Sequence, residues 1–407
     1  MKRSLVLVPL ALSLALAGGA EFSGELSTTF GLRTSDLAIA TQQVGFRLTA
    51  GYKLDDAELS AELKAGPLGV RLGEAYARVS LGPVDLLAGN LVVSTGRTDL
   101  FSPEDAFNPK DLSRPLADPK ALKVPVPAVE VNYYPDPEQS LALELLYSPT
   151  FTPSTPPQGD WARPQPAMPG VVEVSQTAPG ASAENGVFGL RVSDSFDVLE
   201  GLDVGFTLLH TYTPFPGPKR LDYLADKDTD ANPQNGPFRL VLGYDRTTLV
   251  GGDFALAFSI PDVAEGLVLR GEAAYRFTAD AAGTDPYTQN PGLDGVLELE
   301  YRWPDGPTTQ LLYQLSWQKA DAPAPDTLTH RAALLAQYDA DERTRLEGAW
   351  IQNISDGSGM LAPRVRYTLA DGVEAHAALA FFYGKDGSEF GAWRANTELD
   401  LGLDYSF

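Results

Sequence analysis

Apolar and polar positions alternate along most of this chain. In 393–407 the odd positions are Trp393, Ala395, Thr397, Leu399, Leu401, Leu403, Tyr405 and Phe407. The even positions are Arg394, Asn396, Glu398, Asp400, Gly402, Asp404 and Ser406. A period of two over this length predicts a β-strand with one apolar and one polar face. The pattern recurs. Leu267, Leu269, Gly271, Ala273, Tyr275 and Phe277 alternate with a face that holds Arg270, Glu272 and Arg276. Leu293, Leu297, Leu299, Tyr301 and Trp303 alternate with Val296, Glu298, Glu300 and Arg302. Such strands exceed the five or six residues usual in soluble sheets. They reach the nine to eleven that a tilted strand needs to cross a bilayer. Their apolar faces tend to end in Tyr, Trp or Phe, as interfacial girdles do.

Walking the chain pairs 22–33 with 42–54, 57–65 with 69–81, 84–94 with 127–134, and 140–148 with 186–194. It then pairs 201–212 with 238–260, 266–278 with 293–303, and 308–318 with 328–338. Last come 343–353 with 361–369 and 372–384 with 393–407. The fold class expected is all-β: a transmembrane antiparallel up-and-down barrel of about 18 strands, with 16 as the alternative count. Segment 238–260 is long for one strand and predicts a bend or bulge between Tyr244 and Gly252. Short periplasmic turns and long extracellular loops are the expected asymmetry. Proline agrees: loops 95–137, 149–179 and 214–237 hold 21 of the 32 prolines. Proline cannot donate to a ladder, so it marks where the ladder stops.

Composition alone gives a different picture. The 407 residues carry 31 Lys+Arg against 54 Asp+Glu, a net charge of −23, with no cysteine and three histidines. The mean hydropathy is −0.13, too low for a polytopic helical membrane protein. For a barrel, that value is the average of an apolar outer face and a polar lumen. The acidity argues against a nucleic-acid partner. Missing cysteine excludes thiol catalysis, thiolate metal sites and a disulfide scaffold. Residues 1–20 read as a signal peptide, with Lys2 and Arg3 ahead of the apolar run Leu5 to Leu16 and small residues after it. Residues 21–407 are then one outer-membrane barrel, reached after Sec-type export.

A barrel of 16–18 strands leaves an aqueous channel. The function expected is passive or facilitated diffusion of small solutes or ions. The alternatives are a gated transporter of hydrophobic compounds, for which inward Phe382 and Val296 are the hint, and a structural or adhesin barrel. Selectivity would come from lumen charges and any loop folded inward. Candidate pore residues are Arg97, Asp99, Asp105, Lys110, Asp111, Arg270, Glu272, Glu298, Arg364, Arg366, Arg394 and Asp400.

Segment 95–127 is the candidate functional loop, as an inward constriction or an outer lid. It holds five acids and five bases, Arg114, Asp118 and Lys120 among them, and the apolar Leu100, Phe101, Phe107 and Leu112. Ser102-Pro103 predicts the start of a short helix, and Asn108-Pro109 a second. Loop 149–183, rich in Pro, Ser and Thr, reads as a mobile extracellular excursion. Asp226 to Asp230 resembles the start of a calcium loop but lacks its Gly and distant Glu. With His210, His330 and His376 far apart and no Gly-x-Ser-x-Gly motif, no enzyme, cofactor or metal site is expected.

Gly73-Glu74-Ala75-Tyr76, Ala88-Gly89-Asn90, Ser94 to Asp99, and Phe107-Asn108-Pro109-Lys110-Asp111 resemble a largely uncharacterised family of outer-membrane barrels. That family has E-A-Y, G-R-Q, W-G-x-x-D and N-P-x-D motifs. Here Asn90 stands for its Arg and Thr95 for its Trp, and the resemblance covers 73–127. It implies a porin-like barrel and names no substrate. Tyr405-Ser406-Phe407 is similar to the aromatic C-terminal signal read by the barrel-assembly machinery. The partners expected are that machinery, outer-membrane lipid and small solutes, with an oligomer left open.

Overall fold

The computed structural model describes residues 19–407 apart from 67–68, 114–121, 137–139, 164–167, 228–235, 262–263 and 322. The leader expected at 1–20 lies almost wholly outside the described residues.

Strands β1 (Glu21–Arg33), β2 (Ile39–Lys53), β3 (Ala57–Gly66), β4 (Gly69–Leu81), β5 (Val84–Leu91), β6 (Val126–Tyr133) and β7 (Ala142–Ser148) form a run in which each later strand pairs with the one before it. β8 (Val171–Gln176) leaves the wall. β9 (Val187–Phe196) and β10 (Leu202–Tyr212) resume it, and β11 (Gly217–Tyr223) and β12 (Phe238–Gly243) leave again. β13 (Arg246–Ile260), β14 (Ala264–Phe277), β15 (Gly292–Arg302), β16 (Thr308–Gln318) and β17 (Thr327–Asp339) continue round. β18 (Thr344–Asn353), β19 (Ser358–Ala370), β20 (Val373–Tyr383) and β21 (Glu398–Ser406) complete it. β21 pairs with β1 from Glu398↔Arg33 to Ser406↔Glu25. The result is a closed antiparallel barrel of 18 strands. β12 pairs antiparallel with β11 and parallel with β8, a separate three-stranded sheet built from two loops.

Alternation sorts the two faces of the wall. On β15, Leu297 is 50% exposed while its neighbours Val296 and Glu298 are 3% and 0% exposed. Leu311 and Tyr313 on β16, Leu361 and Val365 on β19, and Leu399, Leu401 and Leu403 on β21 belong to the same exposed apolar outer face. The opposite face carries the polar side chains and is covered in part by loops. Two apolar clusters sit on that inner side. One joins Leu91, Val126, Leu146, Leu209 and Leu249 to Phe107 of the 92–125 segment. The other joins Leu312, Ile351 and Phe382 to Phe390 and Trp393. Phe382 and Val296, which hinted at a greasy passage, are 2% and 3% exposed, packed rather than open.

Three local expectations change. Segment 238–260 is two elements: Tyr244 and Asp245 separate β12 of the loop sheet from β13 of the wall. The last strand begins at Glu398, not at 393, because Gly391–Asn396 forms a 3-10 turn. Trp393 drives that change. It is buried against Phe382 (ring centroids 5.9 Å apart) and Trp161 (5.8 Å), and its indole N–H donates to the Trp161 carbonyl at 3.0 Å. Tertiary packing of one aromatic outweighs the local alternation. Loop 149–183, read as mobile, therefore plants Trp161 inside the barrel; residues 164–167 of it lie outside the described residues.

Candidate functional site

The chain leaves β5 at Leu91 and returns at Val126, and of the residues between them 95–108 lie against the inner wall. Residues 96–99 wrap the Glu272 carboxylate of β14. One Glu272 oxygen accepts the backbone N–H groups of Arg97 and Thr98 and the Thr98 hydroxyl at 2.8 Å. The other accepts the Ser102 hydroxyl at 2.7 Å. Glu298 of β15 accepts the Asp99 N–H at 3.0 Å. Buried carboxylates that collect several N–H donors are strong anchors, about 1.5–3 kcal/mol for each bond to a charged group. Gly96 makes the wrap feasible. Its φ is +86°, and a Cβ there would collide with Ser102 and Glu272.

A second set of ion pairs ties the loop to β9, β10 and β13. Arg97 Nε donates to Asp253 Oδ1 at 2.6 Å and its NH1 to Asp203 at 3.1 Å. Arg191 NH1 lies 3.0 Å from Glu104 Oε2 and 2.7 Å from Asp253 Oδ2. Glu104 is fully buried and also accepts the Thr207 hydroxyl at 3.0 Å. Burial beside Asp253 pushes the Glu104 carboxyl up to about 8, so near neutrality it holds its proton.

Asn108 braces the far side. Its side chain accepts from the Val93 N–H at 2.7 Å and donates to the Leu91 and Val124 carbonyls at 2.9 and 3.0 Å. Lys123 reaches Asp105 at 2.7 Å. Lys110 and Leu112 exchange backbone hydrogen bonds with Thr155, so loop 149–186 is stitched to this segment. Neither predicted helix forms among the described residues. Ser102 and Asn108 spend their side chains on the wall and the loop neck instead of capping.

Of the predicted pore residues, Arg97, Asp99, Asp105, Lys110, Asp111, Glu272, Glu298 and Arg270 gather at this loop and its wall. Arg114, Asp118 and Lys120 lie outside the described residues. Arg270 NH1 lies 2.6 Å from Glu298 and 2.7 Å from Glu300, and Gln310 donates to Asp99 at 2.7 Å. The carboxylates of Asp99, Glu298 and Glu300 are close enough to share one cation. The Arg270 guanidinium already pairs with two of the three, Glu298 and Glu300. Arg364 and Arg366 sit away from the loop on β19, with Glu347 3.7 and 3.2 Å away. Asp400 on β21 faces Ala378, the residue that also faces Arg364. Arg394 is not on the inner wall. It lies on the 3-10 turn and pairs with Asp386, a consequence of the burial of Trp393.

Sequence reasoning missed a basic row on β2, β3 and β4, strands that carry none of the Glu272, Asp253 and Arg191 anchors. Arg47 of β2 faces Lys64 of β3, and Lys64 faces Arg71 of β4. Glu62 bridges the first two at 3.1 and 2.9 Å. Arg71 is 60% exposed, with Asp111 of the loop 3.9 Å away. The polar face of β2 was the available signal, but lateral register is needed to place three cations abreast. The histidines are dispersed: His376 lies 2.9 Å from Asp404, His210 contacts Thr248 and Arg246, and His330 contacts Tyr313.

A closed 18-strand barrel, with a long loop bound to its inner wall, defines the architectural class. The chain belongs to the family described as a protein of unknown function (DUF1302), whose model matches residues 35–347. No curated protein matches it. Among solved structures it is similar to Acinetobacter baumannii OccAB4, at 11% identity and TM-score 0.56, over 96% of this chain and 98% of that one. It is also similar to Pseudomonas aeruginosa OccK11 (OpdR), at 11% identity and TM-score 0.54, over 95% and 96%. At these identities the likeness is one of fold.

Proposed function

We propose that this chain is a porin-like channel of the bacterial outer membrane, passing small solutes or ions by diffusion. The exposed apolar outer face would meet lipid, as in strand-built membrane proteins. The polar inner face would meet water. The observation that carries the reading is the asymmetric lumen. Loop residues 97–104 are clamped against β9, β10 and β13–β15. Arg47, Lys64, Arg364 and Arg366 stand on β2, β3 and β19, away from those anchors, and Arg71 of β4 meets the loop at Asp111. An inward loop narrows the passage, and charges on the rest of the wall set the local potential there. The net charge of −23 belongs to the whole chain and does not describe these strands.

The test is single-channel recording of the refolded full chain in a planar bilayer. Discrete open steps in potassium chloride are expected, with a reversal potential that shifts when these cations are replaced. A bilayer that stays silent with folded, heat-modifiable protein present would overturn the channel reading.

A further inference from the structure

A cavity of about 370 Å³ opens between the docked loop and the wall strands β10 and β13. Its volume lies in the range of small-molecule sites. Five rings line it: Phe101, Phe107, Phe151, Tyr212 and Phe215. Phe151 packs on Tyr212 at 4.9 Å and on Tyr244 at 5.1 Å, so Phe151 is braced. Two of the polar residues in the lining stand as a pair. Thr211 and Thr247 are cross-strand partners, 7% and 3% exposed, and both line the cavity. Neither hydroxyl has a hydrogen-bond partner among the described residues. Both hydroxyl oxygens open onto the cavity, where a bound acceptor or donor can reach them.

The charges at the cavity cancel. Arg276 stands 3.3 Å from Asp294, and Lys110 stands 3.9 Å from Asp105. A charged solute would find its own counter-ion already paired; a neutral one gives up no such contact. We infer that this cavity is a binding site for an uncharged ring compound that bears one hydroxyl or carbonyl group. The ring stacks beside Phe151 and Tyr212, and the oxygen bonds to the Thr211–Thr247 pair. The inference rests on the channel reading only for the route by which the solute arrives.

Binding is read without current, by saturation-transfer NMR titration of the full chain in detergent micelles. Benzyl alcohol is the probe, with toluene and benzoate for comparison. Benzyl alcohol is expected to bind at least fivefold more tightly than benzoate. Thr247→Val, which keeps the shape and removes the hydroxyl, should weaken benzyl alcohol about fivefold and leave toluene unchanged. Leu249→Trp, which places bulk in the cavity, should abolish both signals. Equal signals from wild type, Thr247→Val and Leu249→Trp would mean partition into the micelle and overturn the site. Benzoate binding as tightly as benzyl alcohol would overturn the ligand class. Folding of each variant is checked by its heat-modifiable mobility. Binding with no conductance would sink the channel reading and leave the site standing; conductance with no binding would do the reverse.

Discussion

Glu104 of the inner loop and Asp253 on β13, both with fully buried side chains, converge on one Arg191 nitrogen, at 3.0 and 2.7 Å. Around the pair stand Arg191 of β9, Arg97 of the loop, Asp203 and Thr207 of β10, and Glu144 of β7, which faces Arg191. Two carboxyl groups this close cannot both ionise cheaply. The proton held on Glu104 is therefore part of what docks the loop.

The pH dependence follows from the sign of that shift. Undocked and in water, Glu104 titrates near its ordinary value of 4.5; docked, near 8. The docked state holds the proton more tightly. Docking is thus strongest below pH ~4.5 and weakens by about 1.4 kcal/mol per unit as pH rises toward 8. Open-channel current noise, or hydrogen exchange of amides 97–107, should rise over that window. Glu104→Gln stays neutral beside Asp253 and keeps an acceptor for Arg191, so it should flatten the profile. An unchanged profile in that variant would show that another group titrates.

Glu272→Ala removes the carboxylate that collects Arg97, Thr98 and Ser102. A loss of about 2–4 kcal/mol in loop docking is expected, since several charge-assisted bonds go together. Limited proteolysis within 97–106 should become rapid, and mean conductance should rise. The barrel itself should still form, because Glu272 contributes its backbone to the β13–β14–β15 ladder regardless of its side chain.

Arg71 and Arg364 should govern ion preference where Arg270 does not. Arg71 and Arg364 are 60% and 41% exposed, whereas Arg270 is locked between Glu298 and Glu300. A unit charge about 7 Å from a passing ion is worth about 0.6 kcal/mol in water, roughly threefold in partition. Arg71→Gln should shift the cation-to-anion permeability ratio toward cations by that order, with Arg364→Gln adding to it. Reversal potentials in a salt gradient measure both. Arg345→Gln, at the β17–β18 turn, serves as the control and should shift little.

Gly402→Ala should impair assembly. A Cβ at Gly402 would collide with the His376 ring and with the Thr28 carbonyl of the neighbouring strand. The ring could rotate away; the backbone could not, so a cost of about 1–3 kcal/mol is expected. Heat-modifiable mobility after refolding reads the folded fraction. His376→Ala in the same chain should restore only part of it.

Strand count and pairing were legible in the sequence because a barrel imposes one rule, the period of two, on every element. Where the rule was broken, a specific side chain broke it. Trp393 obeyed the alternation yet left the strand, since burial against Trp161 and Phe382 outweighs a few more ladder bonds. The loop's importance was legible from its balanced charge and its apolar residues. Its direction was not, because the decisive partners, Glu272, Asp253 and Arg191, lie far along the chain. The row Arg47–Lys64–Arg71 was hidden for a related reason: lateral neighbours depend on register, and alternation gives only the face.

The pairing of β1 with β21 also has a temporal meaning. Thr28 and Leu403 are partners 375 positions apart, so the first strand waits for the last nine-residue strand before either edge is satisfied. Until then the wall is an open sheet with two sticky borders, each able to pair with a neighbouring chain. Ring closure is thus the slow, non-local step. The interval before it is when this protein is most exposed to aggregation, and when an escort that covers strand edges would matter most.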